Sequence, residues 1–122
     1  KMENPKLCES EYRFMCVVWE NEPVSSGMLV KLCAEKLGWK KATTYTVLKK
    51  LGEKGFLVNE NATVRSLVSK AKVQTFESES IVDRAFAGSL SSFVAAFTQG
   101  RELSEEEADE IRALIDRYRK EG

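Results

Sequence analysis

Near the middle of this chain, threonines, an alanine, a tyrosine and lysines recur at helical spacing, and those side chains together can read a nucleic-acid duplex. Thr44, Val47, Leu48 and Leu51 fall at i, i+3, i+4 and i+7 and predict one inward apolar stripe. The opposite face then carries Ala42, Thr46 and Lys49, flanked by Tyr45 and Lys50, with Thr43 at the border. Alanine and threonine methyls can touch thymine methyls, hydroxyls can meet base edges or phosphates, and lysines neutralise backbone charge. An ordinary solvated face has the same composition, so the helix alone does not decide between the two.

Other chemistry finds little support. The chain has no histidine, which removes the commonest general base and metal ligand. Neither a GxxxxGK[ST] nor a GxGxxG phosphate loop is present. The run Glu105, Glu106, Glu107, Asp109 and Glu110 reads as a solvated helix start that suits the macrodipole. The three cysteines, Cys8, Cys16 and Cys33, are odd in number and lack CxxC spacing, against both a disulfide framework and a zinc site. Cys16 and Cys33 read as small core residues, Cys8 as more exposed. The expectation is a non-enzyme with no cofactor and no metal site.

Over 122 residues the 19 basic and 19 acidic side chains cancel. Their distribution does not: residues 1–75 hold 13 basic and 8 acidic groups, and residues 76–122 hold 6 and 11. The amino-terminal part is therefore the candidate electrostatic footprint. The longest apolar runs, 14–19 and 90–97, are too short to span a bilayer. No leader is expected, Lys1 before Met2 reads as a tag remnant, and the expected location is the cytoplasm.

Around the basic helix, the pattern predicts a first helix from about residue 8 to 20, buried on several sides through Tyr12, Phe14, Met15, Val17, Val18 and Trp19. A second helix follows, capped by Ser25 or Ser26, with Leu29, Val30, Cys33, Ala34 and Leu37 inward and a glycine stop at Gly38. The basic helix stops at Gly55, and alternation at 56–60 and 64–69 predicts two strands around Asn61, Ala62 and Thr63. Helix, turn, helix and hairpin in this order predict a mainly α fold with a small β-wing. It comprises a winged helix-turn-helix DNA-binding domain over 1–72 and a helical dimerisation domain over 73–122.

In that second domain, Phe76, Val82 and Phe86, then Leu90, Phe93, Val94 and Phe97, lie on helices broken at Gly88 and Gly100. A capping box of Ser104 and Glu107 opens a last helix with Ala108, Ile111, Leu114, Ile115 and Tyr118 on one stripe. Such a quantity of apolar surface calls for a cover, either a second copy or an intramolecular three-helix cap.

The ordered motifs resemble the penicillinase-repressor and methicillin-resistance-repressor family, the BlaI/MecI type. The resemblance rests on Leu7-x-x-Ser10-Glu11-Tyr12-x-Phe14-Met15-x-Val17-Val18-Trp19 at the start. It continues through Trp39-x-x-x-Thr43-x-x-Thr46-x-Leu48-x-x-Leu51-x-x-Lys54-Gly55, Phe86-x-Gly88-Ser89-Leu90 and Leu103-Ser104-x-Glu106-Glu107. It implies a homodimeric repressor that binds a palindromic operator in double-stranded DNA and intertwines its carboxy-terminal helices. The implied recognition helix spans 41–54, with Thr43 and Thr46 in the family's threonine positions. The resemblance also implies release by cleavage between Ala96 and Phe97 through a membrane sensor of β-lactams.

Three departures stand out: Ala96 replaces the family's frequent asparagine, Thr63 and Val64 stand where the wing turn usually has glycine and arginine, and no cysteine follows Cys33. The last argues against the copper-responsive relatives. The resulting expectation is recognition through Ala42, Thr43, Tyr45 and Thr46, anchored by Lys40, Lys41, Lys49, Lys50 and Arg65. Rival expectations are a winged-helix module that binds protein and a small-molecule-sensing regulator.

Overall fold

The computed structural model describes residues 5–121. The chain forms two compact units that part after Ser80. The first contains α1 (Glu9–Asn21), β1 (Val24–Ser25), α2 (Ser26–Leu37), α3 (Lys41–Glu53), β2 (Leu57–Glu60), β3 (Thr63–Ser66) and the beginning of α4 (Lys70–Phe86). The second contains the end of α4 with α5 (Leu90–Thr98) and α6 (Glu105–Tyr118). No helix among the described residues is long and apolar enough to cross a membrane.

Helix α1 starts where Glu11 reaches back to accept the Cys8 backbone N–H at 2.9 Å, a reciprocal cap that satisfies an amide the helix would leave open. It ends before Pro23, which disfavours helical backbone in the residue ahead of it. Phe14, Met15, Val17 and Val18 are buried, and the half-buried Trp19 donates its indole N–H to the Val68 carbonyl at 2.9 Å. Of the two candidate serines, Ser25 caps α2 by accepting the Met28 N–H at 3.0 Å. Gly38 closes α2 in left-handed backbone at φ 70°, its N–H returning to α2 carbonyls.

The expected mainly helical winged-helix architecture is present, with three local corrections. The sheet has three strands in the order β1-β3-β2, all antiparallel, where two were expected. A two-residue strand such as Val24–Ser25 is too short to show an alternation. The hairpin strands run Leu57–Glu60 and Thr63–Ser66, so Thr63 belongs to a strand and the turn shrinks to Asn61 and Ala62. On the helices, Ala34 is exposed and Val30 and Cys16 are half-buried, because α2 and α1 each bury a narrower face than assumed. Cys33 is buried as expected and Cys8 exposed.

Both turn residues have positive φ, 53° at Asn61 and 60° at Ala62. A two-residue hairpin demands this twist, and Asn-Gly is its favoured sequence. Asparagine tolerates left-handed backbone, whereas alanine strains there. Ala62→Gly should therefore raise stability by about 0.5–1 kcal/mol, the left-handed penalty less the extra unfolded-state freedom of glycine. Urea unfolding should show a higher midpoint at unchanged slope; a lower midpoint would mean that Ala62 is unstrained.

The core of the first unit joins all its elements. Phe14, Met15, Leu29, Cys33, Leu51, Phe56, Leu57, Val64 and Val73 are each almost wholly enclosed. Glu22 fastens the end of α1 to the sheet, its carboxylate accepting the Ser66 backbone N–H at 2.6 Å and hydroxyl at 3.0 Å. Phe76, expected with the dimerisation residues, is half-buried and lies in the first unit.

In the second unit none of the described residues is buried. Phe93 sets its ring edge-on to Phe86 at 5.5 Å and lies 6.3 Å from Phe97, over which the Arg101 guanidinium sits at 4.7 Å. Ser104 and Glu107 form the expected capping box of α6. Val82, Phe86 and Phe93 are half-buried. Leu90, Val94, Phe97, Ile111, Leu114, Ile115 and Tyr118 are exposed.

Candidate nucleic-acid interface

Helix α3 is seated by its inner face. Thr44, Leu48 and Leu51 are buried, and Val47 is half-buried. Cys33 of α2 is buried in the same core, and burial pushes its thiol pKa up, so it serves as a neutral core group. Just before α3, Trp39 stacks on Phe14 with ring centroids 5.8 Å apart and planes 9° from parallel. These contacts fix both the axis and the rotation of α3.

That rotation leaves Lys40, Lys41, Ala42, Thr43, Tyr45, Thr46, Lys49 and Lys50 all exposed. Tyr45 is 39% exposed, so part of its side chain is open to a ligand. A cavity of about 410 Å³ separates α3 from β2, lined by Tyr45, Leu48 and Lys49 on the helix and by Val58 and Asn59 on the strand. Tyr45 and Lys49 thus border both the outer face and the cleft beside the wing.

The N-terminus of α3 is locally unfavourable. Its cap residue, Lys40, provides no side-chain acceptor for the open amides, and Lys41 follows as the first helical residue. Positive charge at the positive end of a helix dipole destabilises it, and an anion placed there would offset that cost.

The cations divide into two groups that the sequence does not distinguish. Among the described residues, Lys40, Lys41 and Lys49 make no ion pair, whereas Lys50 and Lys54 both approach Glu11 of α1, at 3.5 and 3.0 Å. Burial alone would raise the Glu11 pKa. The hydrogen bonds from the Cys8 amide and Lys54 outweigh it and hold the carboxyl at about 2. Arg65 is exposed on β3 and pairs with Glu60 of β2 at 3.1 Å. The two lie diagonally across the hairpin, since Glu60 faces Thr63 in the register. Sequence reasoning missed both carboxylates; Glu60 could have been found from the hairpin pairing, but nothing local ties Glu11 to α3.

A helix, a tight glycine turn, a second helix with an exposed polar and cationic face, and a three-stranded wing define a winged-helix protein. Its likeness to the solution structure of the DNA binding domain of the repressor BlaI supports that fold, with TM-score 0.50 at 20% identity over 58% of this chain and 92% of that one. The family model described as Penicillinase repressor matches residues 7–117, and the chain belongs to that family. The methicillin resistance regulatory protein MecI of Staphylococcus aureus is 22% identical over 116 residues, covering 92% of this chain and 94% of that protein. The penicillinase repressor of Bacillus licheniformis is 25% identical over 120 residues, covering 94% and 93%. The family resemblance read from the motifs is thereby established along almost the whole chain.

Proposed function

We propose that the chain is a transcriptional repressor that binds a palindromic DNA operator as a homodimer and reads base edges with Ala42, Thr43, Tyr45 and Thr46. The observation that carries this reading is the exposed face of α3, where hydroxyl and methyl groups are framed by Lys40, Lys41 and Lys49, cations without an ion pair among the described residues. A phosphate at Lys40 and Lys41 would relieve the open helix terminus, and Arg65 on the wing would exchange Glu60 for a second phosphate.

The experiment compares two kinds of variant on a duplex selected from a random pool and on scrambled duplex. Lys49→Ala should weaken both alike and reduce the slope of log K against log salt by about 0.9. Thr46→Ala should instead lower preference for the selected duplex by about 1 kcal/mol if a base-edge hydrogen bond is lost. An unchanged preference in Thr46→Ala together with an unchanged slope in Lys49→Ala would remove α3 from the interface.

The second unit supports assembly with a second copy, since a unit without a buried residue exposes Leu90, Val94 and Phe97 on α5 and Ile111, Leu114, Ile115 and Tyr118 on α6. Two copies related by a dyad would set two α3 helices in successive major grooves. Release follows from a cut between Ala96 and Phe97, both exposed near the end of the nine-residue α5, close before the left-handed Gly100. A membrane sensor-linked protease would make that cut. Mass spectrometry of the chain from β-lactam-treated source cells should then show a fragment ending at Ala96; an intact chain beside a derepressed target would overturn this route.

A further inference from the structure

Glu11 is only 3% exposed, yet it is held ionised by partners from two directions. One oxygen, Oε1, accepts the Cys8 N–H at 2.9 Å and so belongs to the cap of α1. The other, Oε2, faces α3, with the Lys54 ammonium at 3.0 Å and the Lys50 ammonium at 3.5 Å. Lys50 and Lys54, the residue that caps the end of α3, are four residues apart and therefore lie on one side of its last turn. Lys50 is also one turn beyond Thr46, and its side chain remains 58% exposed. Freed from Glu11, its ammonium would swing over the residues proposed to read bases and add a sequence-independent attraction there. Glu11 is enclosed, so its attraction for a cation is less screened than that of a phosphate surrounded by water and salt, which favours the pairing near a duplex.

We propose that Glu11 is a positioning residue that holds Lys50, which the sequence alone places among the anchors, out of the phosphate-binding set of α3, leaving sequence-independent attraction to Lys40, Lys41 and Lys49. Specificity is a difference between two affinities, and withdrawing one cation from the reading face lowers the unwanted affinity without touching base contacts. The inference rests on the DNA-binding reading above.

The test uses the full chain and a duplex of scrambled sequence, with affinity measured between 50 and 200 mM salt. Lys49→Gln should flatten the salt slope by about 0.9, a change of roughly 3.5-fold in relative affinity across that range, whereas Lys50→Gln should leave the slope unaltered. Glu11→Gln keeps an acceptor for the Cys8 amide but ends the attraction to both lysines. It should steepen the slope by about 0.9 or more, and Lys50→Gln added to it should take about 0.9 back. Circular dichroism establishes that Glu11→Gln is folded; should it not fold, the comparison of Lys49→Gln with Lys50→Gln decides by itself. A loss in Lys50→Gln equal to that in Lys49→Gln, or no steepening in a folded Glu11→Gln, overturns the role of Glu11 while the DNA reading stands. No salt-dependent binding by the unaltered chain overturns both.

Discussion

Leu114→Glu should yield a folded monomer that has lost most of its affinity for a selected duplex. Leu114 lies on α6 at 50% exposure within a single chain, so the charge costs that chain little. In the proposed dimer the same position is enclosed, and an unpaired carboxylate there would have to be desolvated, at a cost of several kcal/mol. Two reading heads joined in one particle gain a second contact at high effective concentration, and losing that linkage costs on the order of 10²–10⁴ in affinity. Sedimentation should show the unaltered chain as a dimer and the variant as a monomer, with far-ultraviolet circular dichroism unchanged. A dimeric variant with full affinity would place the assembly surface elsewhere. Tight binding by a proven monomer would remove the need for a dimer.

Phe14→Ala should unfold much of the first unit's stability margin. The ring is wholly enclosed, and it stacks on Trp39, the residue next to the cap of α3. Truncation removes the transfer free energy of the ring and leaves a cavity that rigid neighbours fill only in part, together about 3–5 kcal/mol. Small domains are stable by roughly 5–15 kcal/mol, so the variant would approach half-unfolding at moderate temperature. Because Trp39 loses its stacking partner, duplex binding should fall even under conditions where circular dichroism still reports helix. Chemical denaturation is the check: a loss under about 1 kcal/mol would mean that the pocket closes around the smaller side chain.

The outer face of α3 was legible in the amino-acid sequence because helical periodicity is a local property: once Thr44, Leu48 and Leu51 face inward, Thr46 and Lys49 must face out. The Gly38 stop, a serine cap at 25 or 26 and the Ser104–Glu107 box were legible for the same reason, each being completed locally, and the structure chose Ser25. The family motifs added order and spacing, and these carried the assignment along the chain.

What the chain folded in space decided was which charges are free. Lys49 and Lys50 are neighbours of the same type, yet one has no ion-pair partner among the described residues and the other meets a carboxylate from α1. Lys54 reaches the same carboxylate across 43 residues of sequence. Likewise the third strand exists only because β3 offers Val64 and Thr63 as partners to Val24 and Ser25, a pairing invisible in two residues read alone. Periodicity specifies the direction of a side chain relative to its own helix or strand. Its partner is specified by packing between elements distant in sequence, and the enclosure that packing brings makes one carboxylate strong enough to hold two lysines.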